Sequence, residues 1–488
     1  MVDVETELKN LSSDFDLSCK DLSIIFAAGH GKRLKSQTPK MLHEIWGVPT
    51  VVRVSEIAKK GLCSANQIVI VGINALDIAR TIGKDKGRAF VYQEEQRGTG
   101  HALYVAMEFL SRIKFIPENI YIFPGDMGLI TPEAIRDFKK KFKNSNYEMM
   151  VLSGNYQGNP LENYYGRIIR VPEKTRKSFS RIIEIKEFRD IKALKGIYKT
   201  NFENKEYCFS KKGLLRINEF NAGVYAFKGR SVKKYVGEIT LDNIQHEMYL
   251  TEMIQIFHKF SLSVGVVPVK ENYVVFAFNN RSVLKKMEEI ARDKVYDKLK
   301  NIITFKDRED FFITEEVVNK ILKLDKNGRP LDIVLGKGVH IGKGVDLNVG
   351  VVIKDHAYLD GNIKLSEGVI IGERVHLSTY PNQVLKIGRH SEIFQGDIIK
   401  GNLEIGENCR IESSVNMTGS DENPERIGNS VLIKGTSYVF GSTIDDNVQI
   451  EHSVLKNKHV HCVRKKDGTI QPIRYILPPP EGVNSIED

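Results

Sequence analysis

The feature that most constrains the fold is a six-residue repeat of aliphatic side chains in the C-terminal part of the chain. Every sixth residue from Leu335 to Leu377 is leucine or isoleucine, and the period returns over residues 387–411 and 427–450, with a slip of one residue after Val439. This period fits neither an α-helix nor an ordinary strand. It is typical of a hexapeptide parallel β-helix, in which each repeat forms a short strand and a turn. With three repeats in a coil, we expect roughly seven coils, with loops extruded at 378–386 and 412–426.

The region before residue 290 has a different pattern, because apolar runs alternate there with polar stretches of helical character. The apolar runs cover residues 22–27, 67–71, 119–123 and 147–152, and helical stretches lie around 51–60 and 100–110. Strands that alternate with helices predict an α/β domain with a mostly parallel sheet.

These patterns predict five parts of the chain. They are an N-terminal extension (1–20), the α/β domain (21–281), a linker helix and connector (282–330), the β-helix (331–463) and a C-terminal tail (464–488).

Charge and composition narrow the classes of partner. Lysine and arginine total 72 and aspartate and glutamate total 62, which gives a net charge of +10. The positive charge is spread along the chain, so we expect no nucleic-acid partner, whereas a modest excess suits an enzyme that binds phosphorylated small molecules. No apolar window is long enough to span a membrane, and the five cysteines include no CxxC pair. We therefore expect a reduced cytoplasmic protein without a membrane partner.

One short run near the end of the β-helix region brings potential metal ligands together. It reads His459-Val460-His461-Cys462. Imidazole and thiolate groups are zinc ligands, but we interpret the run as a solvated strand end.

The first apolar run leads directly into a glycine-containing basic loop. Ala27, Ala28 and Gly29 let the backbone approach a ligand closely, and Arg33 and Lys40 supply fixed positive charge. A loop at the carboxyl end of a parallel strand faces the crevice where α/β sheets bind ligands. The loop has neither the GKS/GKT of a Walker motif nor a GxGxxG, which disfavours dinucleotide binding. It suits the phosphate chain of a nucleotide.

The complete string A-A-G-x-G-x-R, followed by P-K, resembles the signature of sugar-nucleotide pyrophosphorylases. The stretch Q-x-x-Q-x-G-T-G-H-A at 93–102 resembles the uracil-contacting segment of bacterial N-acetylglucosamine-1-phosphate uridylyltransferases, the bifunctional type with a left-handed β-helix. Further segments are similar to that family, in the family's order, at 125–130, 165–168, 183–186, 221–225, 247–254 and 277–281.

The resemblance implies a Rossmann-like nucleotidyltransferase domain and a role for each matching residue. It assigns phosphate binding and catalysis to Arg33 and Lys40, nucleotide contacts to Phe26, Ala27, Ala28 and Gly29, uracil recognition to Gln93, Gly98 and Thr99, the N-acetylhexosamine to Gly166, Glu184 and Asn221, and Mg²⁺ to Asp126 and Asn279. The implied reaction joins UTP and N-acetylglucosamine 1-phosphate, giving UDP-N-acetylglucosamine and pyrophosphate, and the implied assembly is a homotrimer.

The resemblance weakens in the β-helix, where the family's acetyltransferase residues are expected. The predicted β-helix region, 331–463, contains no N-Y-D-G and no R-P element in its early coils, and only His376 echoes the family's histidine segment. The alternatives are a bifunctional enzyme that also acetylates glucosamine 1-phosphate, a pyrophosphorylase for another sugar 1-phosphate, and a non-catalytic nucleotide-sugar sensor.

Overall fold

A computed structural model describes residues 3–29, 31, 34–171 and 181–476. The chain divides into two compact units, Met1–Glu288 and Glu289–Asp488. Among the described residues, no helix is both long enough and apolar enough to cross a membrane.

The first unit is built on a nine-stranded sheet. Its strands are β1 (Asp21–Ala27), β2 (Gln67–Val71), β3 (Arg88–Tyr92), β4 (Asn119–Pro124), β5 (Met149–Asn155), β6 (Arg167–Arg170), β7 (Ile182–Lys186), β8 (Glu219–Lys228) and β9 (Val264–Pro268). The order is β9-β5-β8-β4-β1-β2-β3, and β6 pairs with β8 and β7. Strands β4, β1, β2 and β3 are mutually parallel, whereas β8 runs antiparallel to β4 and β5.

Helices cover both faces of this sheet and connect its strands. They are α1 (Val4–Asn10), α2 (Thr50–Leu62), α3 (Ala75–Ile82), α4 (Thr99–Arg112), α5 (Pro132–Lys143), α6 (Phe188–Ala193), α7 (Lys211–Leu215), α8 (Gly229–Tyr235) and α9 (Met253–Lys259). A further helix, α10 (Arg281–Leu299), begins in the first unit and ends in the second. Two antiparallel hairpins accompany them, Glu44–Ile45 with Val48–Pro49 and Tyr198–Phe202 with Lys205–Phe209.

Strand β1 shows why the apolar runs are continuous instead of alternating. Ile25 packs into the core with α2, α3 and α5, whereas its neighbour Ile24 packs into the core with α4 and α9. Both side chains are fully buried, as expected for a parallel sheet with helices on both faces. The predicted α/β domain with a mostly parallel sheet is confirmed.

The position of β1 fixes where a ligand site can form. The chain runs from β1 to β2 and β3 on one side and then crosses to β4 on the other side of β1. The strand order therefore reverses at β1, and the loops at its carboxyl end diverge and leave a crevice.

The N-terminal segment packs on the edge of the sheet. Leu8 of α1 is buried in the core. The Ser13 backbone N–H donates to the Arg88 carbonyl at 2.8 Å, and Ser12 Oγ accepts from the Phe90 N–H at 2.9 Å. Residues from 3 onward therefore cover β3, the edge strand, instead of extending away from the domain.

The second unit contains three parallel sheets, which we call the first, second and third faces of a β-helix. The first face contains Thr304–Phe305, Val334–Leu335, Val352–Ile353, Ile370–Ile371, Glu392–Ile393, Arg410–Ile411, Leu432–Lys434 and Gln449–Glu451. The second face contains Phe311–Ile313, Val339–Ile341, Tyr358–Asp360, His376–Ser378, Ile398–Gly401, Asn416–Gly419, Tyr438–Phe440 and Val454–Lys456. The third face contains Ile363–Leu365, Leu385–Ile387, Leu403–Ile405, Glu425–Ile427, Thr443–Ile444 and His459–Val460.

The six-residue repeat supplies the interior of this prism. Its aliphatic residues are buried, with the exception of Leu347, which is partly exposed. This arrangement confirms the predicted hexapeptide β-helix. The strand Asn416–Gly419 continues the period inside the second predicted break, so the irregular segments shorten to 379–384 and 420–424. The two segments meet, because the Gln383 amide donates to Asp421 at 3.1 Å.

The segment 300–330 and the C-terminal tail both add to the β-helix. Thr304–Phe305 and Phe311–Ile313 pair with the strands of the next coil, and α11 (Glu315–Asp325) follows them. In the tail, Ile473 bridges to Ile450 of the first face. Residues 477–488 lie outside the described part of the chain.

Candidate active site

The loops that follow β1 and β4 are joined at the crevice. The Gly125 N–H donates to the Phe26 carbonyl at 3.0 Å, and Asp126 follows directly. Asp126 therefore lies at the carboxyl edge of the sheet, where the spacing of strand and motif predicted it. Its side chain is only 10% exposed, which leaves it a few well-defined partners.

Lys40 is the first of those partners. It begins a short 3₁₀ helix, Lys40–Leu42, and its ammonium group forms an ion pair with the Asp126 carboxylate. The same ammonium donates to Oδ1 of Asn279 at 3.0 Å, and it lies 5.5 Å from the centre of the Phe278 ring. Two oxygen atoms from distant parts of the chain thus converge on one cationic group.

The segment that carries Asn279 is held by Tyr165. The Tyr165 hydroxyl donates to the Ala277 carbonyl at 3.1 Å, and its ring stacks on Phe220 at 4.5 Å. Burial raises the pKa of Tyr165 to about 12, so the hydroxyl stays a neutral donor near pH 7. The matching segment at 165–168 therefore positions Asn279 through its tyrosine, a link that the sequence alone did not reveal.

The predicted uracil segment lies at the end of β3 and the start of α4. Gly98 precedes α4 with φ +107, and a Cβ there would lie 2.6 Å from the Met248 carbonyl. That carbonyl accepts from Gly100 N–H at 2.7 Å, and Thr99 Oγ1 accepts from Leu250 N–H at 3.1 Å. A glycine is therefore required where the two segments approach.

A cleft of about 760 Å³ opens beside these loops. It is lined by Phe26, Ala28, Gly29, Met41, Gln93, Gln96, Gly98, Thr99, Ala102, Pro124, Asp126, Glu187, Arg189, Asn221, Gly223, Tyr225, Glu247, Tyr249, Leu250 and Thr251. The structure thus brings eight of the predicted site residues into one cavity. Within it, the Gln93 amide nitrogen lies 3.0 Å from His101 Nδ1, which also lies 2.9 Å from the Glu95 carbonyl. Nδ1 accepts from the Gln93 amide in one tautomer and donates to the Glu95 carbonyl in the other, so His101 orients Gln93 only in the first tautomer.

Gly166 and Asn221, which the resemblance assigns to the sugar, are joined by the backbone. The Asn221 N–H donates to the Gly166 carbonyl at 2.9 Å, and Asn221 lines the cleft. A Cβ at Gly166 would lie 3.0 Å from Cγ2 of Ile185 and 3.1 Å from Oε1 of Glu187. The glycine therefore gives Glu187 the space in which its carboxylate sits.

Glu187 is a cleft residue that sequence reasoning missed. It follows β7 and lines the cavity. Burial, with repulsion from Asp190 and Glu247, raises the pKa of Glu187 to about 7. The only signal in the sequence was its place just beyond the matching I-I-E-I-K segment.

Glu184 is not among the residues that line the cleft. It lies within β7, its side chain is buried, and it accepts a hydrogen bond from the Gln255 amide. Burial raises the pKa of Glu184, whereas hydrogen bonds from Tyr198 and Gln255 lower it. Its carboxylate therefore contacts residues of the Tyr198–Phe202 hairpin and α9, and Glu187 takes a place in the cleft instead.

The residues that line the cavity also do not include Ala27, Lys40, Gly166 and Asn279. Ala27 ends β1 and is fully buried, so its contribution is to the support of the loop. Arg33 lies outside the described residues, and its role stays a prediction.

The residues around Lys40 fit the divalent cation that the resemblance implies. Asp126 supplies a carboxylate oxygen and Asn279 an amide oxygen, and both already face a positive charge. Mg²⁺ prefers oxygen ligands and is commonly held by one or two carboxylates together with substrate phosphates. The donor set therefore suits that ion.

Comparisons with known proteins agree with this geometry. Residues 23–186 match the family described as the MobA-like NTP transferase domain. The bifunctional protein GlmU of Clostridium novyi is 28% identical over 456 residues, which cover 88% of this chain and 91% of that protein. That of Carboxydothermus hydrogenoformans is 29% identical over 422 residues, covering 86% of this chain and 84% of that protein.

Along most of its length the chain is similar to GlmU proteins. The protein is a nucleotidyltransferase, an enzyme that transfers a nucleotidyl group to a sugar 1-phosphate. A solved structure of a putative glucose-1-phosphate thymidylyltransferase from Bacillus anthracis matches with 18% identity and a TM-score of 0.38, over 56% of this chain and 96% of that one. At that score the likeness says nothing about the substrate.

Proposed function

We propose that the enzyme forms UDP-N-acetylglucosamine and pyrophosphate from UTP and N-acetylglucosamine 1-phosphate. The observation that carries the proposal is the convergence of Asp126 and Asn279 on Lys40, at the edge of a cleft lined by Gln93 and Thr99. Charge compensation for phosphates thus lies beside amide and hydroxyl groups that can pair with a base.

In the proposed reaction, a phosphate oxygen of the sugar 1-phosphate attacks the α-phosphorus of UTP and displaces pyrophosphate. This oxygen is already anionic near neutral pH, so no general base is needed. Catalysis then consists of positioning and charge neutralisation. Lys40 donates to phosphate oxygens as negative charge grows, and Arg33 is proposed to share that role.

Asp126 and Asn279 would hold Mg²⁺, which neutralises phosphate charge. Lys40 donates to both oxygens and so holds them side by side. Gly166, Asn221 and Glu187 lie together on the side of the cleft that we propose for the sugar. Glu184 is proposed to act there indirectly, through the strand that precedes Glu187.

The test is a pyrophosphate-release assay with a matrix of nucleoside triphosphates and sugar 1-phosphates. We expect the highest kcat/KM for UTP with N-acetylglucosamine 1-phosphate. A clear preference for dTTP or for glucose 1-phosphate would contradict the substrate assignment, and turnover of no pair would favour a non-catalytic sensor.

We propose that the β-helix has a structural role and supports a homotrimer, because its flat sheet faces can pair around a three-fold axis. A monodisperse monomer in light scattering would contradict the assembly. The curated relatives are called bifunctional, but this chain lacks the acetyltransferase motifs, and His376 stacks on Tyr358 at 4.9 Å in a ladder of rings on the second face. Thiol release from acetyl-CoA with glucosamine 1-phosphate, abolished by His376→Ala, would contradict a single activity.

A further inference from the structure

The last coil of the β-helix contains a cluster of ligands that the proposed reaction does not use. His459 and His461 flank Val460, which is buried inside the prism. Because side chains of a strand alternate between its two sides, an inward Val460 directs both histidines outward. Sequence reasoning had treated this run as a solvated strand end.

The preceding coil supplies a third ligand that the sequence did not reveal. Thr443 pairs with His459 and Ile444 with Val460, and both pairs are parallel. Asp445 follows in the same register and therefore lies beside His461. The Asp445 N–H donates to the Val460 carbonyl at 3.0 Å, which ties this residue to the last coil.

The donor atoms of the three side chains face one another. Nε2 of His459 lies 2.8 Å from Oδ1 of Asp445, and Nδ1 of His461 lies 2.6 Å from Oδ2. The two imidazole rings are 4.1 Å apart, and one ligand atom from each of the three residues lies within 4.8 Å of the others.

We propose that Asp445, His459 and His461 form a binding site for a divalent transition-metal ion of the Zn²⁺ type. Such ions prefer two imidazole nitrogens and one carboxylate oxygen as ligands. The two nitrogen ligands disfavour Mg²⁺ and Ca²⁺, which are bound by oxygen ligands. A tetrahedral Zn²⁺ with bonds of about 2.1 Å needs ligand atoms about 3.4 Å apart. The present contacts need to widen by about 0.6 Å at His459 and about 0.8 Å at His461, which exposed side chains do readily.

In each neutral ring the proton that faces the carboxylate moves, by exchange with water, to the outer nitrogen. The inner nitrogen is then free to bind the ion, and the ring stays neutral. The fourth position is taken by water, since the Cys462 thiol contacts the Asn447 carbonyl at 3.7 Å and does not belong to the cluster. The ion joins the last strand of the third face to the strand before it, where a solenoid is most prone to fray.

The first test is metal binding by the full-length protein after treatment with EDTA. Dialysis against ZnCl₂ followed by metal analysis should show one equivalent fewer for the His459→Ala/His461→Ala double variant than for the wild type. His452→Asn is the matched control, because His452 is an exposed histidine of the same unit at φ +43, which asparagine tolerates. The Asp126→Asn variant should still bind this equivalent of zinc, which distinguishes the proposed site from the catalytic centre.

The second test identifies the ligands. Co²⁺ should give the visible absorption of a tetrahedral site in the wild type and in His452→Asn, without a thiolate charge-transfer band, and the double variant should lack it. Hydrogen exchange of residues 454–460 should slow when Zn²⁺ is added. Equal Zn²⁺ stoichiometry in wild type and double variant would overturn the proposal, and so would a thiolate band that is lost in Cys462→Ser. If the double variant fails to fold by circular dichroism, Asp445→Asn gives the same comparison.

Discussion

The amide oxygen of Asn279 lies 3.0 Å from the ammonium nitrogen of Lys40, although 239 residues separate them along the chain. Asp126 contacts the same ammonium, and the Lys40 and Asp126 side chains are each 10% exposed. A contact of this kind excludes most water, so the charges interact strongly. The arrangement links the first and last matching motifs of the nucleotidyltransferase domain.

Replacing Lys40 by alanine should lower kcat by on the order of 10²-fold, because the ammonium compensates charge that grows in the transition state. The measurement is pyrophosphate release at saturating UTP and Mg²⁺. Lys60→Ala, an exposed lysine at the end of α2, is the control and should leave kcat unchanged. A Lys40→Ala enzyme with near-normal kcat would contradict the proposed role.

Gly166→Ala should raise the KM for the sugar 1-phosphate roughly tenfold while changing the KM for UTP little. The added methyl group would lie 3.1 Å from Oε1 of Glu187 and displace that carboxylate in the cleft. Gly196→Ala offers a matched comparison, because a Cβ there meets no atom within 4 Å. Equal effects of the two substitutions on KM would show that the contact between the added methyl group and Glu187 is unimportant.

Glu187 should give the sugar KM a dependence on pH. Its pKa is raised to about 7, so the side chain is neutral below that pH and charged above it. The charged form repels an anionic sugar phosphate, and KM should therefore rise between pH 6 and pH 8. Glu187→Gln should flatten the profile, whereas Glu133→Gln on exposed α5 should leave it intact. A profile that is unchanged in Glu187→Gln would argue against the assignment.

Two buried acids should make the β-helix less stable at alkaline pH. Burial raises the pKa of Asp397 and of Glu425 to about 8 each, and one oxygen of each carboxyl has no hydrogen-bond partner among the described residues. Their folded pKa values exceed the unfolded values, so stability is greatest below about pH 4 for these groups and is lost as pH rises through 8.

Thermal unfolding followed between pH 6 and pH 9 should show this loss, at up to about 1.4 kcal/mol per pH unit for each group. Asp397→Asn should reduce the slope, because it removes the charge that must otherwise be buried. Glu404→Gln, an exposed substitution on the third face, should not. If the free energy of unfolding of an Asp397→Asn/Glu425→Gln variant still fell with pH at the wild-type rate, other groups would be responsible for the pH dependence.

The β-helix could be predicted because each six-residue repeat contains an aliphatic residue at the position that points into the prism. Ile353 and Ile371, for example, occupy equivalent places in successive coils and pair directly. The metal-ligand cluster could not be predicted, since the period slips after Val439 and the register of Asp445 beside His461 appears only when the strands pair.

The positions of the candidate site residues were predictable to the extent that the order of the motifs follows the order of the strands. Asp126 follows β4 and therefore had to lie at its carboxyl edge. The sequence did not predict that Glu187 lines the cleft and Glu184 does not. This difference depends on where β7 ends and on which of the two side chains is buried against the neighbouring Tyr198–Phe202 hairpin.

The cover that residues 12 and 13 provide for β3 has a consequence for self-association. A β-strand at the edge of a sheet presents unpaired backbone groups to any other strand that reaches it, and such edges seed aggregates. Ser12 and Ser13 occupy two of those groups on β3. A chain shortened to begin at Asp21 would expose them and would lose the buried Leu8. We therefore expect residues 3–20 to protect this enzyme from precipitation as well as to stabilise it.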